Sequence, residues 1–119
     1  MLGVTLIKTK DSYLEKTEDR TFVVRNSSPS DHPTITYGDA FDNFFSDGEW
    51  EFFESDKHED VVEFNGRCEY RETEVQAKIQ FVLFKNEDDF EISFLSLNDV
   101  PQDNLTMIGL MDAVFEDYD

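Results

Sequence analysis

Four stretches of this chain alternate apolar and polar residues one by one, and that period of two restricts the fold more than any other feature. Trp50 and Phe52 alternate with Glu49 and Glu51, with Phe53 falling out of phase. Val62, Phe64, Gly66, Cys68 and Tyr70 alternate with Glu63, Asn65, Arg67, Glu69 and Arg71. Val75, Ala77, Ile79, Phe81 and Leu83 alternate with Glu74, Gln76, Lys78 and Gln80, and Phe90, Ile92 and Phe94 alternate with Glu91 and Ser93. Successive side chains of a strand point to opposite faces, so each stretch reads as a strand with one buried and one wet face. Short polar connections at Ser55 to Asp60, Arg71 to Thr73 and Asn86 to Asp89 join them into an antiparallel meander. On this phase Val82, Phe84, Leu95 and Leu97 point to the wet side and require a cover.

Helices flank the meander. Thr36 to Ser46 reads as a short aromatic helix, with Thr36 as N-cap, Asp39 completing a capping box and Tyr37, Ala40, Phe41, Phe44 and Phe45 on one face. After the break at Asn98-Asp99-Val100-Pro101, Asp103 or Asn104 caps a C-terminal helix to about Asp117, its inner face marked by Leu105, Ile108, Met111 or Asp112, and Phe115, and widened by Met107, Leu110 and Val114. Upstream, the β-branched runs Val4 to Ile7 and Thr21 to Arg25 read as two strands able to supply the cover, followed by a Pro/Ser/Asn loop from Asn26 to Pro33. The expected fold is α+β: a four-stranded, or slightly larger, antiparallel sheet with both helices packed on one face.

Charge divides the chain. Residues 1–35 carry five acids and five bases, so the net −18 of the 119-residue sequence lies entirely in residues 36–119, where 23 acids meet five bases. Twelve Phe, four Tyr and Trp50 are too many aromatics for a solvated acidic tail. One domain over 1–119 is expected, with neutral N-terminal strands and loop over 1–33 and an acidic α+β core over 34–119. An acidic surface is repelled by nucleic acid and by anionic lipid alike, which leaves a basic protein surface as the expected partner. No apolar run approaches the ~18 residues of a membrane span, and Met1 to Ile7 lacks the form of a signal peptide, so the expected location is the cytoplasm of a bacterial host, or else the chain is a fragment of an exported parent.

Catalytic patterns are missing from the sequence. Cys68 is the single cysteine and reads as a buried strand residue. His32 and His58 read as exposed turn residues without partners at ligand spacing. Glu49 with Glu51, and the run Glu87-Asp88-Asp89-Glu91, offer carboxylates for a divalent cation, but no stretch has the order of a calcium loop. No enzyme activity, metal or cofactor is expected. The positive feature is geometric. Acids at alternate strand positions lie about 6.6 Å apart, close to twice the ~3.4 Å rise per nucleotide of one DNA strand. Glu49, Glu51, Glu63, Glu69, Glu74 and Glu91 on one sheet face, with Asp112 and Glu116 of the final helix beside it, present a phosphate-like lattice. Phe53, together with Trp50, would supply the apolar centre of an interface.

The segment T-I-T-Y-G-D-A-F-D-N-F-F-S-D-G-E-W-E-F-F-E-S-D (Thr34 to Asp56), followed by V-V-E-F-N-G-R-C-E-Y (Val61 to Tyr70), I-Q-F (Ile79 to Phe81) and L-N-D-V-P-Q (Leu97 to Gln102), resembles an uncharacterised domain of Gram-positive zinc-ribbon and lipoprotein-type proteins. The resemblance covers residues 34–118 and carries no catalytic residues. It implies an extracytoplasmic binding or sensor module of a cell-envelope protein. The 119 residues contain no stretch that reads as the zinc ribbon or the anchor of those proteins, so a free-standing version of the domain is expected. Small acidic anti-CRISPR and anti-restriction proteins of phages and mobile elements are similar in size and charge, without a shared motif. The expected function is therefore a non-enzymatic acidic inhibitor, a DNA mimic that binds a basic nucleic-acid-binding protein such as a CRISPR effector nuclease. The envelope module is the alternative.

Overall fold

The computed structural model of the protein describes residues 20–84 and 89–118. Residues 20–25 are helical (α1). They are followed by α2 (Tyr37–Phe44), β1 (Ser46–Glu54), β2 (Asp60–Tyr70), β3 (Thr73–Leu83), β4 (Phe90–Leu97), the two-residue β5 (Val100–Pro101) and α3 (Asn104–Tyr118). The strands form one antiparallel sheet in sequence order, β1-β2-β3-β4-β5, so every connection is a hairpin. The fold is α+β with an antiparallel sheet, as the alternation predicts.

The turns fit their residues. His58 adopts φ 64° and closes the β1–β2 hairpin, where the His58 amide donates to the Ser55 carbonyl at 2.9 Å and the Ser55 amide to the Glu59 carbonyl at 2.8 Å. Arg71 and Glu72, at φ 52° and 67°, make the two-residue turn between Tyr70 and Thr73. Asn98 and Asp99 do the same between Leu97 and Val100, so the predicted break is a hairpin turn as well. Two successive left-handed residues match the twist of flanking strands, which is why such turns hold tight hairpins.

One sheet face carries the helices. Trp50, Phe52, Val62, Phe64, Gly66, Cys68, Val75, Ala77, Ile79, Phe81, Leu83, Phe90 and Ile92 share it, as predicted. Thr36 caps α2 by accepting from the Asp39 amide at 3.1 Å, and Asp103 caps α3 by accepting from the Thr106 amide at 2.8 Å. That bond also holds the Asp103 carboxyl below its usual range. The α2 ring of Phe41 sits at the centre of the core, 4.9 Å from Phe64, 5.3 Å from Phe45 and stacked on Trp50 at 5.3 Å. Tyr37 joins both helices to the sheet, with its ring 5.6 Å from Phe81 and 5.1 Å from Phe115. Burial raises the pKa of its phenol.

Several expectations are corrected. Residues 21–25 are helix, not strand: Thr21 and Val24, three residues apart, are both buried and Val24 joins the main core, so tertiary burial overrides β-branched propensity. The predicted strand Val4 to Ile7 lies outside the described residues. Leu95 and Leu97 are not on the wet face. Gln80 pairs with Phe94 but Phe81 with Ile92, so Ser93 is the extra residue of a bulge that inverts the phase. Leu95 and Leu97 turn into the core, where they are 1% and 7% exposed, and Phe94 turns out. In α3 the buried set is Leu110, Met111, Val114 and Phe115, while Leu105 and Ile108 are exposed. His32 is half-buried, its ring stacked on Phe115 at 5.4 Å. His58 is exposed.

Candidate functional site: the acidic outer face of the sheet

The opposite sheet face collects the polar phase of the strands. Its rows follow from the register: Phe53, Val61, Val82 and Glu91; Glu51, Glu63, Gln80 and Phe94; Glu49, Asn65, Lys78 and Ser96; Arg67 and Gln76; and Glu69 with Glu74. Glu49, Glu51, Glu63, Glu69, Glu74 and Glu91 are therefore on one face, and all but the half-buried Glu63 are exposed. Neighbouring strands lie about 4.8 Å apart and alternate residues about 6.6 Å, so the carboxylates occupy a two-dimensional array.

Two pairs in that array set like charges directly opposite each other. Glu51 faces Glu63 across β1–β2, and Glu69 faces Glu74 across β2–β3. Tyr70 and Thr73 flank the two-residue turn as a hydrogen-bonded pair, so Glu69 and Glu74 fall in the closer, non-bonded register with Cα atoms about 4.5 Å apart. Facing like charges cost stability. Two devices offset part of the cost. The Arg67 guanidinium bridges Asp47 and Glu74, the latter at 3.1 Å, and the carboxylates raise its pKa. Glu63 accepts from the side-chain amides of Asn65 at 2.9 Å and Gln80 at 2.7 Å, which anchor it without neutralising it.

At one end the face becomes apolar. Val61 is 4% exposed, its row neighbours Phe53 and Val82 are half-buried, and so is Phe94 in the next row on β4. Phe53 thus stands at the junction of the apolar row and the acidic rows. Trp50 does not join it, because its ring is on the helix side against Phe41. Asp112 and Glu116 are likewise separated from the lattice: they are exposed on α3, whose buried side chains pack in the core on the helix-bearing face. The two bases among the acids, Arg67 and Lys78, were visible as strand residues, but the Arg67 bridge to Asp47 depends on the irregular register between Ser46 and Glu49, which alternation does not reveal.

Among the described residues, no group of three or more His, Cys, Asp or Glu is arranged to hold a metal ion, and no helix is long and apolar enough to cross a membrane. The acidic run starting at Glu87 lies partly outside the described residues. Cys68 is buried and desolvation lifts its thiol pKa to about 11, which leaves it protonated at neutral pH. Comparison with protein-family models, with curated proteins and with solved structures returns no match.

Proposed function

We propose that the protein is a non-enzymatic inhibitor whose outer sheet face occupies the nucleic-acid-binding cleft of a basic protein, in the manner of a DNA mimic; a CRISPR effector or restriction nuclease is the sharpest case. One observation supports this reading above the others: Glu51/Glu63 and Glu69/Glu74 face each other across strands on the same surface. A face serving only solubility would gain stability from opposite charges at those positions, whereas facing acids cost about 0.2–1 kcal/mol per pair. A cationic cleft turns that cost into binding energy and accelerates encounter, with both effects weakening as salt rises. The apolar row at Phe53, Val61 and Val82 supplies a desolvated margin beside the charges.

Capture from a bacterial lysate on the immobilised protein, at low and high salt, tests the reading. The wild type should retain a basic nucleic-acid-binding protein that elutes as salt rises, and the variant carrying Glu49→Lys, Glu51→Lys, Glu63→Lys and Glu69→Lys should release it while keeping its circular dichroism spectrum. Equal retention by the folded variant would overturn the proposal.

A further inference from the structure

Among the described residues β1 is the terminal strand of the sheet, and the β1–β2 turn identifies which of its backbone groups point away from β2. The Ser55 amide bonds the Glu59 carbonyl, so the pairs that alternate from it along the register, Phe53/Val61, Glu51/Glu63 and Glu49/Asn65, point their amides and carbonyls inward to β2. The amides and carbonyls of Trp50, Phe52 and Glu54 point outward, and no described residue pairs with that edge. The opposite edge of the sheet is less available, because β5 covers Ser96 and Leu97 and the Ser93 bulge distorts the rest of β4.

A second copy of the chain is a poor occupant. Antiparallel self-pairing along β1 would set Glu49 and Glu51 against the same acids of the copy, between two molecules of net charge −18. A strand bearing cations meets the opposite situation. Beside Trp50 the helices leave a recess of about 180 Å³, walled by Phe22, Arg25, Thr36, Asp39 and Asp42, which gives room for inward-facing side chains of an added strand.

We propose that the outer edge of β1 accepts an extended basic segment of a partner as an additional strand, with lysine or arginine in line with Glu49 and Glu51 and a smaller side chain beside Trp50, while the Arg20 guanidinium, 5.3 Å from the Phe52 ring and paired with Asp60, keeps its place beside Phe52. Main-chain bonds to Trp50, Phe52 and Glu54 supply binding, and the acids select the sequence. The choice of a basic occupant rests on the function proposed above; the outward direction of the Trp50, Phe52 and Glu54 backbone groups does not.

The probe is a capped synthetic peptide of about ten residues alternating lysine and valine, with a second peptide of the same composition in which the lysines and valines are in two blocks. Amide exchange is followed by NMR on the full chain. The alternating peptide should slow exchange of the Trp50, Phe52 and Glu54 amides by about tenfold or more, equivalent to ~1.4 kcal/mol of added protection. The block peptide should not slow these three, and the Glu49, Glu51 and Phe53 amides should change little with either. Glu54→Pro removes one outward N–H and no bond to β2, so it should weaken the alternating peptide several-fold relative to Glu54→Gln. No slowing at the three amides, equal slowing by both peptides, or protection that grows with protein concentration alone overturns the inference. Binding of both peptides that spares the edge amides and is lost on reversing Glu63, Glu69 and Glu74 removes the edge site while leaving the acidic-face function intact.

Discussion

Replacing Glu51 by lysine should stabilise the protein while weakening its capture of a basic partner. Glu51 and Glu63 occupy a hydrogen-bonded cross-strand position with Cα atoms about 5.5 Å apart, and Glu63 is half-buried and held in place by the Asn65 and Gln80 amides. The new ammonium would meet a carboxylate whose position is already fixed, so little further ordering is needed. Removing a like-charge pair recovers about 0.2–1 kcal/mol and installing an opposite-charge pair contributes a similar amount, for a sum of roughly 1 kcal/mol. In a chain of this size that raises the melting temperature by about 4 °C. Thermal and urea unfolding of Glu51→Lys should show the gain, Glu51→Gln about half of it, and both gains should shrink in ~1 M salt, where the Debye length falls to about 3 Å. Asp56→Lys, in the exposed β1–β2 turn, changes net charge equally without facing an acid and should gain less. A Glu51→Lys variant that melts at or below the wild type, or a gain matched by Asp56→Lys, would refute the argument that these acids oppose each other across the strands.

Gly66→Ala should destabilise the fold by about 1–3 kcal/mol in urea unfolding, because its Cβ would lie 2.8 Å from the Phe64 ring and 3.0 Å from the Phe45 Cβ in a filled core. Arg67→Gln should lower the melting temperature at low salt and lose that difference at high salt, since it removes the cation between Asp47 and Glu74. Cys68 should resist thiol reagents at pH 8 until the protein unfolds. Its folded pKa of about 11 lies above the unfolded value near 9, so the unfolded chain releases the proton first; the stability linked to this thiol is complete below pH 9 and lost as pH rises toward 11, which unfolding midpoints across that range will measure.

The parts of the fold legible in the sequence are those fixed by local chemistry. Strict alternation from Val75 to Leu83 set the face of every residue in β3, and Thr36 and Asp103 cap the helices that follow them. Where a long-range contact decides, the pattern fails. A single inserted residue at Ser93 inverts the phase of the end of β4, and its one trace in the sequence is the adjacent pair Phe94-Leu95. Thr21 to Arg25 has strand-forming residues, but helix places Thr21 and Val24 together on a buried side. The C-terminal helix is apolar on most of its circumference, so periodicity could not choose between Leu105/Ile108 and Leu110/Met111/Val114. The acidic lattice was legible for the sheet residues, because alternation places their side chains. It was not legible for Asp112 and Glu116, whose position depends on which layer α3 joins.

Competition between this protein and DNA for the partner recovered from a lysate tests the central claim most directly. With a labelled duplex bound to that partner, added wild-type protein should displace the duplex completely, the variant reversed at Glu49, Glu51, Glu63 and Glu69 should displace none, and the midpoint should move to higher protein concentration as salt is raised. A ternary complex in which partner, duplex and this protein persist together would contradict occupation of the nucleic-acid cleft.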